Sequence, residues 1–301
     1  MYNRLAVGAV AALMLGAMSI GAASTSAVGA TTAATRHTVN VTSHGQAATI
    51  TLRGGWRLAH VKLPDVALPH LRTAGATTTT GDWSGYADTG HNVAFRFIAA
   101  NFTAPNVNCA ASTRGKSGEA LATNWVGLDG SNSDTIEQAG FEEECTSSTA
   151  QSYFAWYEMF PGAQVAITGA KPGDALSASV YFNSATGKYT LAVTDLTQGG
   201  AGFSVNESCP SGSTCSNSSA EAITAVPGGG VAGGYDLADF GAMAYTNAAV
   251  TSRSGERGTL GSNSLWSATN ITMDDPSQDT MATAGPLQGG SAFLSSFVKS
   301  S

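Results

Sequence analysis

Apolar and polar positions alternate in short runs along most of this chain, over 93–102, 121–128, 153–160, 176–182, 189–195, 219–226, 242–250 and 265–273. Alternate residues of a strand share a face, so each run reads as a strand with one buried side. No apolar period of 3.6 residues is sustained, which excludes a helical framework. Turn chemistry separates the runs, as in Lys171-Pro172-Gly173-Asp174 and Ala185-Thr186-Gly187-Lys188, and the second of these joins Leu176–Phe182 to Tyr189–Asp195 in the clearest hairpin. The pattern predicts an all-β fold over 81–301: a two-sheet antiparallel sandwich or jelly roll with a concave cleft.

The alternation is absent at the start of the chain. Arg4 precedes an almost uncharged run from Leu5 to Ala23, followed by small residues around Ala27 and Ala30. This predicts a secretory signal peptide over 1–30, and no later run is long enough to cross a membrane. A secreted, extracellular location follows as the expectation. The stretch 74–81, Ala-Gly-Ala-Thr-Thr-Thr-Thr-Gly, reads as a linker that closes a leader over 31–80.

Charge sharpens that division. Through Arg72 there are six Lys/Arg against Asp65 alone, and beyond it eight basic residues face twenty acidic ones. A basic leader on an acidic body suggests a propeptide that docks by electrostatic attraction and is later removed. The acidic body also argues against nucleic acid as a partner. Four cysteines agree with export. Cys209 and Cys215 enclose a short loop suited to a local bridge, which leaves Cys109 to Cys145 as the preferred second pair among three connectivities. No histidine lies near a cysteine, so neither a metal nor another cofactor is expected.

Candidate chemistry concentrates between Asn124 and Gly162. Asp88-Thr89-Gly90 has no second copy to pair with, as an aspartic-peptidase dyad requires, and His91 is the only histidine of the body. Strand parity sets Trp125, Gly127 and Asp129 in one row, Asp134, Ile136 and Gln138 in a second, and Phe154, Trp156, Glu158 and Phe160 in a third. Side by side, the rows form an aromatic floor carrying Asp129, Gln138 and Glu158. That floor reads equally as a substrate cleft or as a core face with capped polar groups.

Trp83-Ser84-Gly85-Tyr86, Trp125-Val126-Gly127-Leu128-Asp129-Gly130, Ile136-Glu137-Gln138-Ala139-Gly140 and Ala155-Trp156-Tyr157-Glu158-Met159-Phe160-Pro161 closely resemble motifs of the secreted glutamic peptidases, the eqolisins or G1 family, formerly A4. The resemblance implies a concanavalin-like sandwich and an acid-active endopeptidase made as a precursor. It places Gln138 at the glutamine that positions water and stabilises the oxyanion. It puts Trp83, Trp125, Asp129, Trp156 and Glu158 in the substrate cleft. The family's general-base glutamate ends a strand matched here by Ala220-Glu221-Ala222-Ile223-Thr224-Ala225, so Ala225 stands where the base belongs.

Glu221 shares a strand face with position 225 but lies roughly 13 Å along the strand, and Glu137 should face away from Gln138. A displaced alignment would make Asp236 and Asp239 the nearest downstream carboxyls. The resemblance therefore implies a peptidase with activity impaired or lost. The alternative is a non-catalytic sandwich that binds peptide or carbohydrate, since aromatic faces suit both. Expected partners are a polypeptide substrate or ligand and the chain's own propeptide, and nothing in the sequence calls for more than a monomer.

Overall fold

The computed structural model describes residues 35–43, 46–66, 68, 72–74, 77–131, 133–261 and 263–301. The signal peptide expected over 1–30 lies outside them. One compact unit spans Ala34–Ser301.

The leader contributes β1 (Arg36–Ser43), β2 (Gln46–Arg53), β3 (Arg57–Leu58), β4 (Arg72–Ala74) and β5 (Thr77–Thr80). The body continues with β6 (Trp83–Thr89), β7 (Phe95–Thr103), β8 (Ala120–Asp129), β9 (Ile136–Cys145), β10 (Gln151–Phe160), β11 (Val165–Thr168), β12 (Ala175–Asn183), β13 (Lys188–Asp195), β14 (Ala201–Ser208) and β15 (Ser219–Ala225). It closes with β16 (Asp236–Leu237), β17 (Ala242–Ser252), β18 (Arg257–Thr259), β19 (Ser267–Asp274), β20 (Thr280–Ala284) and β21 (Phe293–Phe297).

Hydrogen bonding joins most of these in one open strip, β3–β11–β10–β9–β8–β15–β6–β19–β20–β21–β17–β7–β12–β13–β14–β2–β1. Every pairing along it is antiparallel, whereas β5 joins β19 and β16 joins β8 in parallel. The strip doubles over at β20 and β21, and β8, β9 and β10 then lie against β12 and β13. Val126, Leu128, Phe141 and Tyr157 from one layer meet Ile98, Val180, Leu191 and Val193 from the other in the main core. This is the antiparallel sandwich that the alternation predicts.

Burial distinguishes the layers. β13 alternates buried and exposed or half-buried positions, as a strand with one covered face must. β8 and β15 are buried at every position. Their second face is covered in part by the leader.

The leader is integrated into the sheet. β1 and β2 form a hairpin, β2 pairs with β14, and β3 pairs with β11. Ile50, Leu52 and Trp56 are buried in the main core, each worth about 1.5–3 kcal/mol or more on transfer from water. Trp56 lies 6.4 Å from the Phe203 ring, and a Cβ at Gly169 would sit 2.2 Å from its indole, so glycine makes the seat for this ring. Strand pairing and apolar burial hold the leader. Among the described residues the ion pairs run from Lys299 to Asp275 and Asp279, while Arg36, Arg57 and Lys62 are exposed. The expected linker also differs, because its threonines form β5, as β-branched residues favour when a neighbouring edge is free.

Both disulfides form as preferred, Cys109 with Cys145 and Cys209 with Cys215. The first ties the end of β9 to the loop before β8.

Candidate active site

Five neighbouring strands, β10–β9–β8–β15–β6, make the concave face. Residues directly across a strand pair share that face. One row runs Glu158–Gln138–Gly127–Glu221–Ala87, the next Trp156–Gly140–Trp125–Ile223–Gly85, and the third Phe154–Glu142–Thr123–Ala225–Trp83. The structure therefore brings Gln138, Glu158, Trp83, Trp125, Trp156, Glu221 and Ala225 onto one surface, and adds Glu142. Strand parity alone could have found Glu142, four residues beyond Gln138.

Gln138 is fully buried and donates from Nε2 to Glu158 Oε2 at 2.7 Å. Gln138 Oε1 and Glu158 Oε1 have no partner. Burial, followed by the nearby Asp65 carboxylate, pushes Glu158 well above the usual carboxylate range, against the opposing pull of the Val66 N–H and Gln138. Glu221 lies two strand spacings from Gln138, roughly 10 Å, and burial raises it strongly as well. Between them is Gly127, where a Cβ would sit 2.9 Å from Trp125 Cζ3. The glycine leaves room for that indole edge, which fills the gap.

Ala225 is fully buried, opposite Trp83 and Thr123. It belongs to one apolar cluster with Trp83, Trp125, Trp156, Ile223, Leu63 and Val66. Trp83 and Trp125 meet edge to face at 4.8 Å, and Trp156 Nε1 donates to Thr123 Oγ1 at 3.0 Å. Glu142, the carboxyl in the Ala225 row, is raised well above its ordinary range by burial and then by Glu144.

Asp129 has a different task from the cleft role expected of it. Its φ of 67° turns the chain at the end of β8, and its carboxylate accepts from Asn217 N (2.6 Å), Ser218 N (2.7 Å) and Ser218 Oγ (2.9 Å). It anchors the loop into β15. Glu137 faces away from Gln138, as its parity requires, and is raised by burial and then by Asp129. Asp236 bonds Thr113, and Asp239 Oδ1 accepts from Gly241 N, so neither joins the Gln138 row.

The leader crosses this surface. Val66 N donates to Glu158 Oε2 at 3.3 Å, the oxygen that also accepts from Gln138. Gln164 Nε2 donates to Pro64 O at 2.7 Å, and Gly228 N donates to Asp65 O at 2.7 Å. Neither Gln164 nor Gly228 carries a sequence signal for this role, since both lie in loops. A cavity of about 630 Å³ lies elsewhere, lined in part by Leu68, Asp82, Val231 and Asp274, and touches neither Gln138 nor Ala225.

Chemically, the face offers an amide able to hold water or an oxyanion and carboxyls that stay protonated well above their ordinary range. A protonated carboxyl donates a proton and cannot accept one from water. Among the described residues no group of three or more His, Cys, Asp or Glu is arranged to hold a metal ion.

Comparison with known proteins gives one family match, the Peptidase A4 family, over residues 81–292. Among solved structures, this chain is similar to scytalido-glutamic peptidase with a peptide-based transition state analog, at 23% identity and a TM-score of 0.57, covering 72% of this chain and 98% of that one. It is also similar to SCP-B, a member of the eqolisin family of peptidases in complex with the tripeptide Ala-Ile-His, at 22% identity and a TM-score of 0.54, with 72% and 98% covered. No curated protein matches.

Proposed function

This chain belongs to the Peptidase A4 family, and from that premise we propose that it is a secreted glutamic-peptidase-like protein whose cleft binds extended polypeptide but lacks the family's hydrolytic base. The observation that carries the reading is Ala225, a buried methyl group on the concave face, two rows from that of Gln138 and Glu158. Gln138 keeps the amide that would hold water and stabilise the oxyanion of a tetrahedral intermediate. A methyl group takes no proton from that water.

The remaining carboxyls do not replace the base. Glu221 lies two strand spacings, roughly 10 Å, from Gln138, and the Trp125 indole edge fills the gap between them. Glu158 is further committed to Gln138 and Val66. Secretion is supported by the apolar run from Leu5 to Ala23 and by the two disulfides. Peptide is favoured over carbohydrate because the cleft already holds a segment of polypeptide, Leu63–Val66.

Digestion of casein at about pH 3.5 tests this reading. The parent chain should show no turnover, and Ala225→Glu should raise the rate by about 10²- to 10⁴-fold. Adding Gln138→Ala to that variant should remove most of the gain. Turnover by the parent would defeat the proposal, whether or not it survives Gln138→Ala.

A further inference from the structure

We propose that β1 is a self-complementary edge, and that two copies of this chain pair along it, antiparallel and centred on Asn40, in a two-fold dimer whose sheet continues from one copy into the other.

The edge is long and undefended. β1 closes one end of the strip, and among the described residues it pairs with β2 alone, over all its positions from Arg36 to Ser43. The strand at the other end, β3, covers only Arg57–Leu58. Edge strands are commonly blunted by proline, a bulge or a mid-strand charge, because their free N–H and C=O groups template further pairing. β1 contains no proline, keeps one register with β2 throughout, and carries Arg36 and His37 only at its start.

The sequence of the strand selects the occupant. Thr38-Val39-Asn40-Val41-Thr42 reads the same in both directions. Antiparallel copies centred on Asn40 therefore set Asn40 opposite Asn40, Val39 opposite Val41 and Thr38 opposite Thr42, and matched Thr pairs of this kind stabilise a sheet. The same register sends the two Arg36 side chains to opposite ends of the contact, so no like charges face each other. Such an isologous contact closes at two copies.

Backbone parity agrees with that centre. Ser43 faces Gln46 across two intervening positions, and a turn of that length closes on a hydrogen-bonded pair. Bonded pairs with β2 then recur at Val41, Val39 and His37, which leaves the N–H and C=O of Thr38, Asn40 and Thr42 turned away from β2. These three positions are symmetric about Asn40, so the free donors of one copy meet the free acceptors of the other.

The side chains fit as well. Val39 and Val41 are half-buried against the main core, while Thr38, Asn40 and Thr42 are exposed. Pairing sets Val39 of one copy beside Val41 of the other and carries the apolar face across the junction. A contact one strand wide belongs with small, transient interfaces, those below about 1,200 Å², so the dimer depends on concentration. The monomer expected from the sequence is its dilute form.

Sedimentation equilibrium of the full chain from about 5 μM to about 500 μM should show the mass rising from one chain toward two. Asn40→Lys and Asn40→Asp each set like charges face to face and should each stay monomeric, whereas an equimolar mixture of the two should regain the dimer. Cross-linking reads the register. The native cysteines are all bridged, so an added cysteine is the single free thiol. Under mild oxidation Asn40→Cys should link two chains, because facing Cα atoms lie about 5.5 Å apart. Thr38→Cys alone should link at least about tenfold more slowly, its symmetry mate lying four positions out of register, and a mixture of Thr38→Cys with Thr42→Cys should link readily. All three positions are exposed, so the hairpin keeps its packing in each variant.

A parent chain that stays monomeric at about 500 μM would overturn the proposal. So would a dimer that survives both charge variants, or one that links as fast through Thr38→Cys as through Asn40→Cys.

Discussion

On the proposed reading, a methyl rather than a carboxyl at position 225 leaves water beside Gln138 without a base. Burial raises the neighbouring carboxyls, and Glu158 shows the consequence. A carboxyl raised in the folded state supports stability below its unfolded value, and that support is lost as pH rises through the folded value. Glu158→Gln, a neutral isostere, should therefore change stability little at about pH 4 and increase it at about pH 8, as read by urea unfolding at both values. Asp129→Ala should destabilise by about 2–4 kcal/mol in the same assay, since a charged acceptor of three bonds is lost. Gln138, Glu158 and the empty place at Ala225 were legible in the sequence because strand parity and four ordered motifs fix their face. The task of Asp129 was not, because its partners lie 88 and 89 positions away and its left-handed φ turns the strand pattern aside.

Among the strands, β12 and β13 were readable because turn chemistry and clean alternation coincide there. β1 and β2 were not: Val39, Val41, Ile50 and Leu52 alternate, but Arg36, Arg53 and Arg57 flank them with the composition of a solvated leader. Structure gives these strands a packing role: β2 extends the sheet, and Trp56 fills a seat left open by Gly169. Trp56→Ala should cost the full chain about 3–5 kcal/mol, as other buried aromatic truncations do. Chemical denaturation would measure it, and an unchanged midpoint would return the leader to the status of a loosely held tail.

Across the sandwich, burial places carboxyls where ionisation is costly. It pushes Asp82, Glu144 and Glu207 up to about 7 and Asp88 to about 9, and it raises Glu137, Glu142, Glu143, Glu158 and Glu221 well above their ordinary values. For Asp82, Glu144, Glu207 and Asp88 the stabilising contribution is complete below about pH 4, the unfolded carboxyl value, and is lost as pH rises through 7 to 9. Asp275, lowered by its hydrogen bond from Lys299, has the opposite sign, and as one surface ion pair it is weak. Thermal melts should show a midpoint that falls steadily from about pH 4 to about pH 9, and a midpoint that rises over that range would contradict the assignment. The sandwich itself was legible from alternation, while the doubling of one continuous strip through β20 and β21 was not, since long-range pairing leaves no local signal. The sharpest test of the whole account is one ratio, kcat/KM of Ala225→Glu over that of the parent, on an unfolded polypeptide at about pH 3.5. The two proteins differ only at position 225, so the ratio reads chiefly the base: a value of at least about 10² is predicted, and a value near one would contradict the claim that this cleft lacks only its carboxylate.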